Sequence, residues 1–158
     1  MIPRSLSHVA LGVRDYERSL HFYRDLLGFQ IAQEITDTPA EGGISERSGR
    51  QYRIAVLRYT RENSAPYGMS EEAPVIALVA PQGPPPTGSA IKADQIGISH
   101  FGIWVKGLDG ICQELKSRGV KFAAEPHTGA KTKQGTLRTA FVEDPDGILI
   151  QLDEMVPA

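Results

Sequence analysis

Two matching stretches of the chain are apolar almost throughout, which is typical of strands. The first stretch runs from Leu6 to Val13 and the second from Ile98 to Val105. Both are rich in Val, Ile, Leu or aromatic residues, and a helical pattern follows each at once. Since side chains alternate between the faces of a strand, each stretch has one bulky apolar face and one face with a histidine and a glycine. The bulky face is suited to packing on a helix, and the other face leaves space for a ligand.

The residues after each stretch follow one plan. Asp15 can cap a first helix that ends near Leu27, before Gly28, and a second helix is predicted over 108–118, before Gly119. Each helix is followed by three predicted strands: 29–35, 51–59 and 75–80 in the first half, and 120–123, 137–143 and 148–152 in the second. The sequence therefore predicts two βαβββ modules in tandem.

The predicted modules are residues 1–80 and 97–158, joined by a Pro/Gly-rich linker over 81–96. The linker is too proline-rich to join a sheet. One helix covers only one face of each sheet, so we expect the two uncovered faces to enclose one cavity within a single compact domain. The expected fold is α+β: a cupped, partly open, mixed β-barrel-like sheet with its helices outside.

Overlaying the last strands of the two halves defines four matching positions. Ile76-Ala77-Leu78 aligns with Ile150-Gln151-Leu152. The repeat therefore predicts that His8, Ala77, His100 and Gln151 line the same cavity. Ala77, Trp104 and Phe141 are candidates for the lining of a substrate pocket. The alternative for the two aromatic residues is a place in the hydrophobic core, and the pocket is favoured for Trp104 because it shares a strand face with His100.

Composition narrows the class of protein. The 158 residues are 41% hydrophobic and 23% charged, and the formal net charge is −2, which favours neither nucleic acid nor an anionic membrane as a partner. No apolar run approaches the roughly 20 residues that span a bilayer. The single cysteine, Cys112, excludes an internal disulfide and is typical of a reducing compartment. We expect a cytoplasmic protein that binds a small molecule.

Two further motifs resemble a known family. The sequence FYRDLLGF ends the first predicted helix, and DPDG precedes the last predicted strand. With the repeated histidine strands, they make the chain similar to the vicinal oxygen chelate superfamily, which includes glyoxalases, bleomycin resistance proteins and extradiol dioxygenases. The resemblance implies a βαβββ repeat, and by resemblance alone we expect a homodimer.

The resemblance also implies a metal site. In metal-dependent members the ligands come from the first and last strands of each module, so His8, His100 and Gln151 match ligand positions. Two departures stand out, because Gln151 replaces the usual glutamate and Ala77 replaces a Glu or Gln. The cofactor implied is a divalent ion such as Fe, Mn, Zn or Ni. With three donors and open coordination positions, an extradiol dioxygenase-like reaction fits the set better than isomerisation.

Two functions remain open from the sequence. In the first, a divalent metal on His8 and His100 chelates neighbouring oxygens of a small substrate, in a dioxygenase-like or lyase-like reaction. In the second, the protein is a metal-free binder that sequesters a flat aromatic or drug-like compound, and Gln151 and the two histidines form hydrogen bonds to it instead of holding a metal. No residue stands out as a catalytic general base. His127 is predicted in an exposed loop, 125–129, that could cover the cavity, and Asp144 is predicted to cap the DPDG turn.

Overall fold

The computed structural model describes residues 6–41, 43–59 and 75–157. Parts of the predicted first module (1–5, 42 and 60–74) and residue 158 of the second lie outside this range. Within it, the chain divides into two compact units, of which the first ends at Gly88 and the second begins at Ser89. Each unit is built on one four-stranded mixed sheet, in the orders β1-β4-β3-β2 and β5-β8-β7-β6. The α+β class and the two-sheet architecture are therefore confirmed.

The first unit follows the predicted order of elements. Its strands are β1 (His8–Gly12), β2 (Gln30–Asp37), β3 (Tyr52–Arg58) and β4 (Val75–Pro81). Helix α1 (Tyr16–Leu20) continues as a π-helical segment, His21–Leu26. As predicted, the carboxylate of Asp15 accepts from the Arg18 backbone N–H at 3.0 Å, and Gly28 has a φ of 79° just after the helix. A short helix, α2 (Gly43–Ser48), follows a 3-10 turn at Pro39–Glu41 and was not predicted.

The second unit repeats this arrangement. Its strands are β5 (His100–Trp104), β6 (Lys121–Thr132), β7 (Gly135–Glu143) and β8 (Leu149–Pro157), and its helix is α3 (Leu108–Ser117). As predicted, Gly119 has a φ of 79° after the helix. In both sheets the first and last strands are parallel neighbours, and all other pairs are antiparallel.

Each sheet buries the face that packs on its helix. Leu57 and Leu78 in the first unit, and Ile150 and Leu152 in the second, are fully buried. Burying one such side chain stabilises the fold by about 1.5–3 kcal/mol. We call the opposite face of each sheet its open face. In the first unit it includes Ala10, Val56 and Ala77, which neighbour one another across three strands.

The same ion pair ties helix to sheet in both units. Arg53 on β3 contacts Glu17 at 2.5 Å, and Arg138 on β7 contacts Asp109 at 2.6 Å. Glu17 follows His8 by nine residues, and Asp109 follows His100 by the same nine. The pairs occupy equivalent positions, so the repeat extends to side-chain contacts that the hydrophobic pattern does not reveal.

The prediction that His127 lies in a loop is wrong. Residues 125–129 belong to β6, which runs for 12 residues. Its register with β7 shifts three times, and these irregularities let an edge strand contain Pro126 and Gly129. The turn instead lies at residues 133–134.

No helix among the described residues is both long and apolar enough to cross a membrane.

Candidate metal and ligand site

The histidines of the two units have the same local environment. His8 and His100 each begin the first strand of a unit, and both side chains are exposed. The Nδ1 atom of His8 lies 3.0 Å from the Ser7 hydroxyl oxygen, and that of His100 lies 3.0 Å from the Ser99 hydroxyl oxygen. When Nδ1–H donates to the serine, the lone pair of Nε2 is left for another partner, which is the usual arrangement of a metal-ligating histidine.

The register of the last strands supports the predicted overlay. Ala77 on β4 pairs with Ala10, two residues after His8. Gln151 on β8 pairs with Gly102, two residues after His100. Within each unit, the last-strand residue therefore has the same relation to the histidine, and both lie on the open face.

Gln151 is held by a carboxylate that the sequence analysis did not identify. Its amide nitrogen Nε2 donates to Oδ1 of Asp153 at 2.9 Å and to Oδ2 at 3.1 Å. The two residues lie on the same face of β8, because they are two positions apart on one strand. Gly102 lies beside this pair, and a Cβ atom added there would make an ordinary contact with Asp153 Oδ2, at 3.4 Å.

Two residues of β7 line the same face. Phe141 pairs with Gln151, and its ring is edge-on to the His100 imidazole with 5.7 Å between centroids. Thr139 pairs with Asp153 and is 6% exposed, and its Oγ1 has no hydrogen-bond partner among the described residues. A buried hydroxyl in this state costs about 1–3 kcal/mol unless water or a ligand satisfies it. Trp104, half-buried, pairs with Asp153 from the other side.

The open face of the first unit is apolar by comparison. Ala77 is 8% exposed and has no donor atom, and Val79 occupies the position that Asp153 has in the second unit. A concavity of about 310 Å³ lies at the far end of this face from His8. Its lining residues are Ala10, Gly12, Ile44, Arg50, Tyr52, Val79, Pro81 and Pro86.

Arg50 is the one cationic group in that lining. Its Nη2 atom donates to the backbone oxygen of Gln82 at 3.3 Å and to that of Pro84. These contacts fasten the start of the predicted linker to the first sheet, so a structural role explains Arg50.

The other polar candidates have local roles. The Asp144 carboxylate accepts from the backbone N–H groups of Asp146 and Ile148, both at 2.8 Å, which confirms its predicted capping of the turn. His21 is exposed and contacts Asp25 at 2.8 Å. Cys112 is buried in α3, and burial raises the pKa of its thiol, in keeping with a packing role.

The chemistry of the candidate donor atoms is compatible with a divalent ion. No group of three or more His, Cys, Asp or Glu side chains placed to hold a metal occurs in residues 6–41, 43–59 and 75–157. A set of two imidazoles and a carboxamide is different from such a cluster. Imidazole nitrogen and amide oxygen are both known ligands of divalent ions. His8 in the first unit, and His100 and Gln151 in the second, therefore each carry an atom that can bind a divalent ion.

Comparisons with known proteins agree on the family. A model of the glyoxalase/bleomycin resistance protein/dioxygenase superfamily matches residues 5–152. A probable lactoylglutathione lyase from Synechocystis is 32% identical over 148 residues, covering 93% of this chain and 92% of its own length. The lactoylglutathione lyase of Escherichia coli O157:H7 is 29% identical, covering 94% of this chain and 91% of its own length.

The fold agrees with solved structures. The crystal structure of a glyoxalase family protein from Bacillus cereus has a TM-score of 0.71 at 18% identity and covers 99% of both chains. From the family model, the similarity to the Synechocystis protein and the paired βαβββ units, we conclude that this chain belongs to the glyoxalase/bleomycin resistance protein/dioxygenase superfamily.

Proposed function

We propose that the protein is a divalent-metal-dependent enzyme that acts on a small substrate with two neighbouring oxygen atoms. The observation that carries the proposal is the repeated Ser–His arrangement, in which both imidazoles have Nδ1 beside a serine hydroxyl. A coincidence is a poor explanation, because the two histidines also have the same register to the last strand of their units. The relatives named lactoylglutathione lyase support an enzyme over a passive binder.

Each candidate residue would have a separate role in binding the ion. His8 and His100 would bind through Nε2 while their serines fix the orientation of each ring. Gln151 would bind through Oε1, because its Nε2 is taken by Asp153. Phe141 would keep one side of the His100 ring apolar. A divalent ion held there would supply Lewis acidity toward the substrate oxygens.

The donor set bears on the class of reaction. Ala77 provides no ligand atom, so at most three protein donors come from the four matched positions. A three-donor set with open positions favours a dioxygenase-like reaction, whereas the names of the relatives favour a lyase. Both activities are therefore assayed: oxygen uptake with catechols after Fe²⁺ loading, and the absorbance of lactoylglutathione formed from methylglyoxal and glutathione after Zn²⁺ or Ni²⁺ loading.

Metal affinity tests the proposal without knowledge of the substrate. His8→Ala and His100→Ala should each weaken Zn²⁺ or Mn²⁺ binding by at least about tenfold, and Ser7→Ala and Ser99→Ala by about tenfold. His127→Ala is the matched control, since His127 is an exposed strand histidine whose Nδ1 contacts a backbone oxygen. The proposal fails if wild-type protein binds no divalent ion, or if the control loses as much affinity as the other two histidine variants.

A metal-free binding protein is the second candidate. The apolar concavity of the first unit and the absence of a donor at Ala77 favour it. If it is correct, the metal titrations will show no uptake, while an apolar aromatic compound will bind with one-to-one stoichiometry. Val79→Asp, which places a carboxylate at an apolar position of that lining, should then abolish binding.

A further inference from the structure

We infer that Asp153 is the positioning residue for Gln151, and that the two together take the place of a single glutamate ligand. The inference rests on the proposed function. It starts from the two hydrogen bonds between Gln151 Nε2 and the Asp153 carboxylate, at 2.9 and 3.1 Å.

The first step concerns orientation. An amide side chain presents either an NH₂ group or an oxygen to a ligand, and only the oxygen can bind a cation. Because the carboxylate of Asp153 accepts only, it holds the NH₂ end of Gln151. The oxygen Oε1 is then the end left for an incoming ion.

The second step concerns charge. A neutral amide oxygen is a weaker ligand than a carboxylate, which makes glutamine a poor substitute for glutamate by itself. A carboxylate that accepts from the amide nitrogen polarises the group and increases the electron density on its oxygen. A glutamine at position 151 lacks the negative charge of a glutamate. By polarising the amide, Asp153 increases the negative charge on Gln151 Oε1 and compensates in part for that loss.

The third step is that the surroundings of the pair are specific to the second unit. Gly102 lies beside it, where a Cβ would make an ordinary contact with Asp153 Oδ2 at 3.4 Å. At the equivalent positions the first unit has Ala10 beside Ala77, and Val79 in place of Asp153. In the second unit, the last strand has large polar side chains and its neighbouring first strand has a glycine, whereas the first unit has small or apolar residues at these positions.

Zn²⁺ affinity and side-chain NMR test the inference together. Asp153→Ala should weaken Zn²⁺ binding by about tenfold or more, the range found for residues that orient a ligand. Asp153→Asn should lose less, because an asparagine oxygen can still accept from Nε2. Glu114→Gln is the control, since it removes one negative charge from the exposed surface of helix α3 in the same unit.

The NMR signal of the Gln151 NH₂ group gives a readout that does not involve the metal. It is assigned by its loss in Gln151→Ala, and it should shift upfield in Asp153→Ala as the hydrogen bonds disappear. Thermal unfolding of every variant is measured alongside, because a merely structural role would lower stability and leave the Zn²⁺ affinity of the folded protein unchanged.

A double variant separates positioning from direct binding. If Asp153 acts through Gln151, Asp153→Ala should have little further effect on Zn²⁺ affinity in a Gln151→Ala background. An equal loss in both backgrounds overturns the inference, because Asp153 would then act by itself. Tight Zn²⁺ binding that Asp153→Ala leaves unchanged overturns it as well while sparing the proposed function. Wild-type protein without Zn²⁺ affinity overturns both.

Discussion

Tyr59 should make the stability of the first unit fall with pH in the alkaline range. Its ring contacts Phe29, with 4.7 Å between centroids, and burial raises the pKa of its hydroxyl from 10.0 to about 12. Since the pKa is higher in the folded state, the protonated hydroxyl favours folding. The contribution is fully present below pH 10.0, the unfolded value, and is lost as the pH rises through about 12.

The size of the effect follows from the two pKa values. A difference of about two pKa units corresponds to about 2.7 kcal/mol in the free energy of unfolding. About half of this should be lost by about pH 11. Burial and the hydrogen bond to Glu34 at 2.5 Å raise the pKa of Tyr16 to about 12 as well, so its titration should lower stability in the same direction.

Urea unfolding followed by far-UV circular dichroism at about pH 9 and about pH 11 measures the difference. Tyr59→Phe keeps the ring on Phe29 and removes the titrating group, so it should lose less stability than wild type over this range. Lysine titration affects both proteins alike and cancels in the comparison. Tyr16→Phe provides an independent second case. If wild type and Tyr59→Phe show the same dependence on pH, the assigned burial of Tyr59 is incorrect.

Two further predictions concern stability. Leu78→Ala and Leu152→Ala remove fully buried side chains at equivalent positions, so each should cost about 2–5 kcal/mol in urea unfolding, and a loss below about 1 kcal/mol at either would contradict the burial described. Gly119→Ala, at a φ of 79° with open space around it, should cost about 1–2 kcal/mol. Gly135→Ala should cost more, about 3 kcal/mol, because its Cβ would lie 2.1 Å from the Val156 carbonyl oxygen, and equal costs at the two glycines would refute this comparison.

Much of the fold was predictable because its determinants are local. The alternation of apolar positions in β1 and β5, the Asp15 cap and the stop at Gly28 need no knowledge of distant residues. The length of β6 was not predictable in this way. Its proline and glycine are tolerated only because β6 is an edge strand with register shifts, and that position is set by the tertiary order of strands.

The missed site residue has a similar explanation. The last strand was predicted to end at Leu152, since Asp153 and Glu154 are unfavourable in an isolated strand. In the structure Glu154 accepts from the backbone N–H groups of Gly107, at 2.5 Å, and Leu108, at 3.1 Å. This contact with the start of helix α3 stabilises a charged residue within β8, which extends to Pro157. Asp153 is thereby held on the same strand face as Gln151. The predicted strand ended at residue 152, so the sequence did not assign Asp153 to this face.

The two units have histidines at equivalent positions but differ on their last strands, and this difference limits the donors that each unit offers. Two identical units would offer the same donors twice. Here the first unit has Ala77 and Val79, while the second has Gln151 and Asp153 at the same positions. In the second unit the Asp153 carboxylate accepts from the Gln151 amide nitrogen at 2.9 Å, which leaves the amide oxygen as the available donor. Of the two last strands, only β8 therefore offers polar side chains at these positions, so any donor that the proposed function needs from a last strand comes from the second unit.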